Sequence, residues 1–167
     1  SLFDSEDKSD IEFRYPAEDK IIKAHKFVLT LDSQYMNSQL SQNWCTSSQV
    51  IIEEYDYAQY YQYIRFLYTG KLELNDYEEV IQMFNLADCF LEQQLKVKCC
   101  ELLVKDYLNT ENCISIYMCF VDKSVLTYEQ LVVKFIMEHF EHERKFLQHE
   151  GRLIHEDSRK QYIVTIS

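Results

Sequence analysis

The sequence predicts an α+β chain, and three observations predict it. Strict apolar alternation occurs near the beginning, in Asp10-Ile-Glu-Phe-Arg-Tyr15, where Ile11, Phe13 and Tyr15 fall on one face of a half-buried strand. From Asp56 onward the apolar spacing turns helical, so strands come early and helices late. Glycine and proline are scarce, at Gly70, Gly151 and Pro16 alone, too few for the many tight turns of an all-β architecture.

Residues Ser1 to Ser9 are polar and acidic apart from Leu2 and Phe3, and read as a short flexible arm. After the first strand, Pro16 to Lys20 is a turn and Lys20 to Lys23 returns as a second strand of a hairpin. A helix follows from about His25 to Asp32. Ala24, Val28 and Leu31 recur at helical spacing, as do Phe27 and Leu31. Ser33 is the expected N-cap of a second helix, Gln34 to Leu40, with Tyr35, Met36 and Leu40 apolar. Ser41 to Gln49 is a polar loop. Val50 to Ile52 is a short third strand whose unbroken apolar character suggests a central, buried position.

The next helix shows Tyr60, Tyr61, Ile64, Leu67 and Tyr68 on one broad face, and Gly70 supplies its C-terminal stop. Lys71 to Leu74 reads as a minor edge strand. Asn75 or Asp76 caps a helix with the stripe Val80, Ile81, Phe84, Ala87 and Leu91. Gln93 to Leu108 is a further helix, with Leu95, Cys99, Leu102 and Leu103 inward. Thr110 is the expected cap of Glu111 to Val121, and Thr127 of a long helix from Tyr128 to about Phe146, buried through Leu131, Phe135, Ile136 and Phe140. Gly151 to Asp157 breaks the pattern, and Ser158 is expected to start one more helix.

Composition narrows the function. The chain has 167 residues and a net charge of −11, which repels phosphate backbones and argues against nucleic-acid binding. No apolar run approaches the roughly 20 residues of a membrane span, and no signal-peptide pattern opens the chain. The chain starts on Ser1 rather than Met and is expected to be a segment of a longer protein. With two glycines, a phosphate-cradling loop, a dinucleotide fingerprint and a Gly-x-Ser-x-Gly nucleophile elbow are all excluded. Six cysteines lack Cys-x-x-Cys spacing, and four fall in apolar helical patterns. They read as reduced thiols, as in a cytoplasmic or nuclear protein. His139 and His142 among Glu138, Glu141 and Glu143 lack metal-ligand order and read as a solvated helix face. No catalytic residue, metal site or cofactor is expected.

The motifs in order are Asp10-Ile11, Ala24-His25-Lys26 with Leu29, Ser33, Phe66-Leu-Tyr-Thr-Gly70, Leu86-Ala-Asp88, and Leu95 with Cys99. In that order and spacing the chain resembles a BTB/POZ domain over 10–108. The resemblance implies a small three-stranded sheet flanked by about five helices. Asn112 to Tyr117 and Leu131 to Phe140 resemble, more loosely, the first two helices of the three-box, the start of the BACK extension, so 109–167 is expected to be that helical extension. The pattern is similar to BTB domains that occur with regulator-of-chromosome-condensation-like repeats or with MATH domains.

This resemblance implies a non-catalytic protein-interaction module that homodimerises and recruits the cullin-three scaffold of a ubiquitin ligase. The alternative is a BTB oligomerisation or scaffold module without cullin binding. The family's histidine is structural and pairs with the aspartate opening the first strand, which implies an Asp10–His25 pair. Cullin contact is implied for Leu40, Asn43, Trp44 and Thr46, and for Asp88 and Phe90 in the turn after Leu-Ala-Asp. Trp44 is also singled out by its own chemistry, as the one tryptophan of the chain in a polar segment. Thr46 departs from the family, which carries glutamate there. Dimer contact is implied for Leu2, Phe3, Phe27, Val28 and Leu31. The dense tyrosines from Tyr55 to Tyr68 read as core packing with hydroxyls at the rim.

Overall fold

A computed structural model describes residues 3, 9–42, 48–139, 153–156 and 162–165. The chain divides into two compact units, Ser1–Cys99 and Cys100–Ser167.

In the first unit, β1 (Ile11–Tyr15) and β2 (Lys20–Ala24) form the expected hairpin, with Ile11 opposite Ala24 and Tyr15 opposite Lys20. Period-two alternation buries Ile11, Phe13 and Tyr15 together with Ile22 and Ala24. β3 (Gln49–Ile51) runs parallel to β1, and the sheet order is β2-β1-β3. β1 is therefore the central strand, and β3 is an edge with Ile51 62% exposed. A three-residue edge strand needs one covered face only, so an unbroken apolar run was a poor guide to position. Residues 71–74, expected as an edge strand, form no ladder.

Four helices and their caps accompany this sheet. α1 (Lys26–Asp32) starts at His25, and α2 (Gln34–Gln42) starts at Ser33, whose Oγ accepts from the Met36 N–H at 3.0 Å. α3 (Tyr57–Thr69) ends on Gly70, whose φ of 65° is the left-handed cap that favours glycine, and its N–H donates to Phe66 O at 2.7 Å. α4 (Tyr77–Cys89) opens with a reciprocal cap: Glu79 N–H donates to Asp76 Oδ1 at 2.9 Å, and Asn75 N–H donates to Glu79 Oε2 at 2.7 Å.

α5 (Gln93–Leu102) leads into a π-helical turn at Leu103–Tyr107, so the single helix expected to Leu108 changes its winding partway. In the second unit α6 (Cys113–Phe120) and α7 (Leu126–His139) pack together. Thr110 is not the cap of α6. Asn112 holds that position, and Asn109 Oδ1 accepts the N–H groups of Glu111 and Asn112. α7 starts before Thr127, and its buried face is Val132, Val133 and Ile136, with Leu131 exposed. Phe140 and His142 lie outside the described residues. The helix expected from Ser158 is replaced at 162–165 by a strand, β5 (Tyr162–Thr165), antiparallel to β4 (Leu153–Glu156). Tyr162-Ile-Val-Thr165 is rich in β-branched residues, which favour a pleated strand.

Candidate interaction surface

The hinge between sheet and helix is held by two bonds that differ from the expected Asp10–His25 pair. Asp10 Oδ1 accepts from the Lys26 N–H at 2.7 Å, satisfying a first-turn donor of α1. The His25 N–H donates to the Tyr68 hydroxyl at 2.6 Å, and His25 Nδ1 lies 2.9 Å from the same oxygen. The one hydroxyl therefore bonds both the backbone and the ring of His25. Burial, the largest influence, raises the Tyr68 pKa. The carboxylate thus serves the helix end, and the phenol from Phe66-Leu-Tyr-Thr-Gly70 serves the imidazole. His25 remains a tie between β2, α1 and α3.

Beneath this hinge lies an aromatic core. Tyr35 stacks on Phe90 at 3.7 Å between ring centres and 7° between planes, and Tyr55 and Tyr63 meet the same ring edge-on at 5.2 and 5.3 Å. Tyr63, which the expected α3 face leaves out, is fully buried. Its hydroxyl donates to Glu92 Oε1 at 2.8 Å, and the Ser33 hydroxyl bonds the same oxygen. Ser33 therefore joins the start of α2 to the start of α5.

Of the residues expected at a cullin contact, Asn43, Trp44 and Thr46 lie outside the described residues. Leu40 is buried, beside a cavity of about 470 Å³ shared with Tyr35, Met36, Ile51 and Tyr55. Asp88 accepts from Lys96 Nζ at 3.0 Å, an ion pair that is mostly covered. Phe90 is 5% exposed and belongs to the core, not to a surface.

Leu91, expected in the buried stripe of α4, is instead 85% exposed. The exchange has a geometric cause. α4 stops at Cys89, Leu91 takes φ 58°, and the N–H groups of Leu91 and Glu92 turn back to Asp88 O and Ala87 O at 3.2 and 2.8 Å. This is a Schellman cap with leucine where glycine is usual. It breaks the helical register, turns Phe90 in and Leu91 out. A Gly at 91 would have announced the cap; Leu hides it.

On α1, Phe27 is 74% and Leu31 64% exposed, one turn apart, with Val28 half-buried between them. Leu29, carried only as a motif residue, is the fully buried one. Leu2 lies outside the described residues. Phe3 packs on the chain's own α3, its ring 5.0 Å from Tyr61 and 5.4 Å from Tyr68. The surface these elements offer is therefore apolar, built from α1 and the turn after α4. Among the described residues no group of His, Cys, Asp or Glu is arranged to hold a metal ion, and no helix is long and apolar enough to cross a membrane. Cys89, Cys99, Cys100, Cys113 and Cys119 are free thiols.

Comparison with known proteins agrees with this fold. The chain is 29% identical over 108 residues to "Protein maternal effect lethal 26" of Caenorhabditis elegans, an alignment covering 63% of this chain and 27% of that protein. The chain thus aligns with little more than a quarter of that relative's length. Among solved structures, the BTB domain of human gigaxonin is similar in fold, with a TM-score of 0.50 and 22% identity, over 59% of this chain and 80% of that one. The BTB domain of zebrafish PATZ1 scores 0.49 at 21% identity, over 57% and 75%. A family model described as BTB/POZ domain matches residues 1–107, and the chain belongs to the BTB/POZ family.

Proposed function

We propose that this BTB domain is a non-catalytic adaptor module that homodimerises through α1 and recruits a cullin-three ubiquitin ligase scaffold through the segment after α2. The observation that carries the reading is the pair Phe27 and Leu31, two large apolar side chains exposed on one turn of α1. Exposed apolar groups that cluster on one helix face mark a protein contact rather than chance. Leu91 extends the apolar contact set and takes the role first given to Phe90. Residues 109–139 supply the helices of the proposed three-box. The free thiols support a cytoplasmic or nuclear setting.

A second reading, a scaffold without cullin activity, is favoured by Thr46, which stands where the family carries glutamate. A charge-assisted hydrogen bond is worth about 1.5–3 kcal/mol, so its loss lowers affinity about tenfold or more. Two measurements decide. Light scattering should give a dimer that Phe27→Asp with Leu31→Asp converts to monomer at unchanged melting temperature; a monomeric wild type refutes dimerisation. Titration with the cullin-three N-terminal domain should show binding that Trp44→Ala removes. Absent binding that Thr46→Glu restores establishes the second reading.

A further inference from the structure

The turn between β1 and β2 faces the segment leading into α3 across a cavity of about 360 Å³. Tyr15, Glu18, Glu53, Glu54, Tyr55 and Asp56 line it, with Pro16 and Ile52 adding apolar wall. Tyr15 is 3% exposed, and its hydroxyl has no hydrogen-bond partner among the described residues. A buried hydroxyl left without a partner is unfavourable, and native structures rarely keep one without a reason. Burial, then the charge of Glu18, holds the Tyr15 phenol protonated.

The carboxylates around the cavity divide into one that is occupied and three that are not. Glu18 accepts from Lys20 Nζ at 2.8 Å and from the Tyr57 N–H at 3.0 Å. The same Lys20 nitrogen sits 4.6 Å above the Tyr57 ring, so this corner already holds one cation between a carboxylate and an aromatic face. Glu53, Glu54 and Asp56 have no side-chain hydrogen bond or ion pair among the described residues, and Asp56 does not cap α3 with its side chain. Three unpaired carboxylates and one orphan hydroxyl thus surround one opening.

We propose that this cavity receives an arginine side chain from a basic segment of a partner protein. A guanidinium is a planar fork of five donors, suited to bridging two carboxylates while offering a third bond to the Tyr15 oxygen. Tyr55 and Pro16 supply the surface along which its stem and plane pack. A lysine ammonium is compact and strongly hydrated, and lacks the planar fork that bonds two carboxylates at once. The site lies on unit one, includes none of the α1 residues, and does not depend on dimerisation or cullin binding.

The test is an NMR titration of the isotope-labelled 167-residue chain with acetyl-Gly-Arg-Gly-amide, its lysine counterpart and its citrulline counterpart. Saturable amide shifts centred on Ala17, Glu18, Tyr55 and Asp56 are expected with the arginine peptide. Citrulline in place of arginine, or Glu53→Gln with Glu54→Gln in the protein, should weaken binding about tenfold or more. These exposed glutamates can change without loss of fold. Tyr15→Phe should weaken binding less, about threefold, while leaving or raising the melting temperature, because it removes an unpartnered hydroxyl. Equal binding of citrulline or lysine peptide, shifts centred elsewhere, or undiminished affinity in the double glutamine variant overturns the proposal.

Discussion

Phe27 and Phe90 are the same residue in opposite situations. Phe27 sits on α1 with 74% of its surface in solvent; Phe90 ends α4 with 5%. Phe90 is stacked by Tyr35 and edged by Tyr55 and Tyr63, whereas Phe27 and its neighbour Leu31 both stand open. The difference teaches where this domain keeps its stability and where it leaves apolar surface in solvent. Its aromatic centre is closed by rings from α2, the 52–55 segment and α3. Its apolar surface comes from the short helix beside the sheet and from one turn.

The largest expected effect breaks that contrast at its closed end. Phe90→Ala should cost about 3–5 kcal/mol, through lost burial and the cavity left beneath Tyr35. Phe27→Ala should change monomer stability by no more than about 0.5 kcal/mol. Denaturant unfolding of the two variants side by side measures both. A comparable loss in Phe27→Ala would mean that α1 closes over its own core.

The closed region also carries a pH signature. Burial is the first cause that raises the pKa of Tyr15, Tyr60 and Tyr63 above the ordinary 10.0. The native state then keeps protons that the unfolded chain releases. Stability is at full strength below pH 10 and falls as pH rises beyond it, by up to about 1.4 kcal/mol per pH unit for each tyrosine. Urea midpoints between pH 8 and 11 should stay level and then fall. Tyr63→Phe should flatten the alkaline limb, and an unaltered limb would remove Tyr63 from the account.

Much of this was legible in the sequence because it rests on local chemistry. The alternation of Ile11, Phe13 and Tyr15, the cap at Ser33, a cap at Asn75 or Asp76, which the structure assigns to Asp76, and the stop at Gly70 each express a short-range rule. What stayed hidden depended on long-range pairing. β3 reads as central by composition and is an edge by topology, because register with β1 is set by the chain path over α1 and α2. Tyr63 and Glu92 meet across 29 positions, and no spacing rule connects them. The partner of His25 was sought in Asp10 and found in Tyr68, 43 positions on, inside a motif already noted for other reasons. Phe90 and Leu91 exchanged roles because a helix ended two residues before its apolar stripe suggested.

That exchange supports the smallest prediction. Leu91 adopts a left-handed conformation that costs a side-chain-bearing residue roughly 1–2 kcal/mol and glycine nothing, while glycine adds up to about 1 kcal/mol of unfolded-state entropy. At 85% exposure the leucine side chain returns little burial. Leu91→Gly should therefore stabilise the domain by about 0.5–1 kcal/mol, near 2–3 °C in melting temperature for a chain of this size. A leucine retained at that strain for a contact outside the chain predicts more: the variant should melt higher and bind its partner less. A lower melting temperature would place the side chain against its own protein and close the contrast between the two neighbours, whereas a higher one with unchanged partner affinity would leave Leu91 as strain without a use.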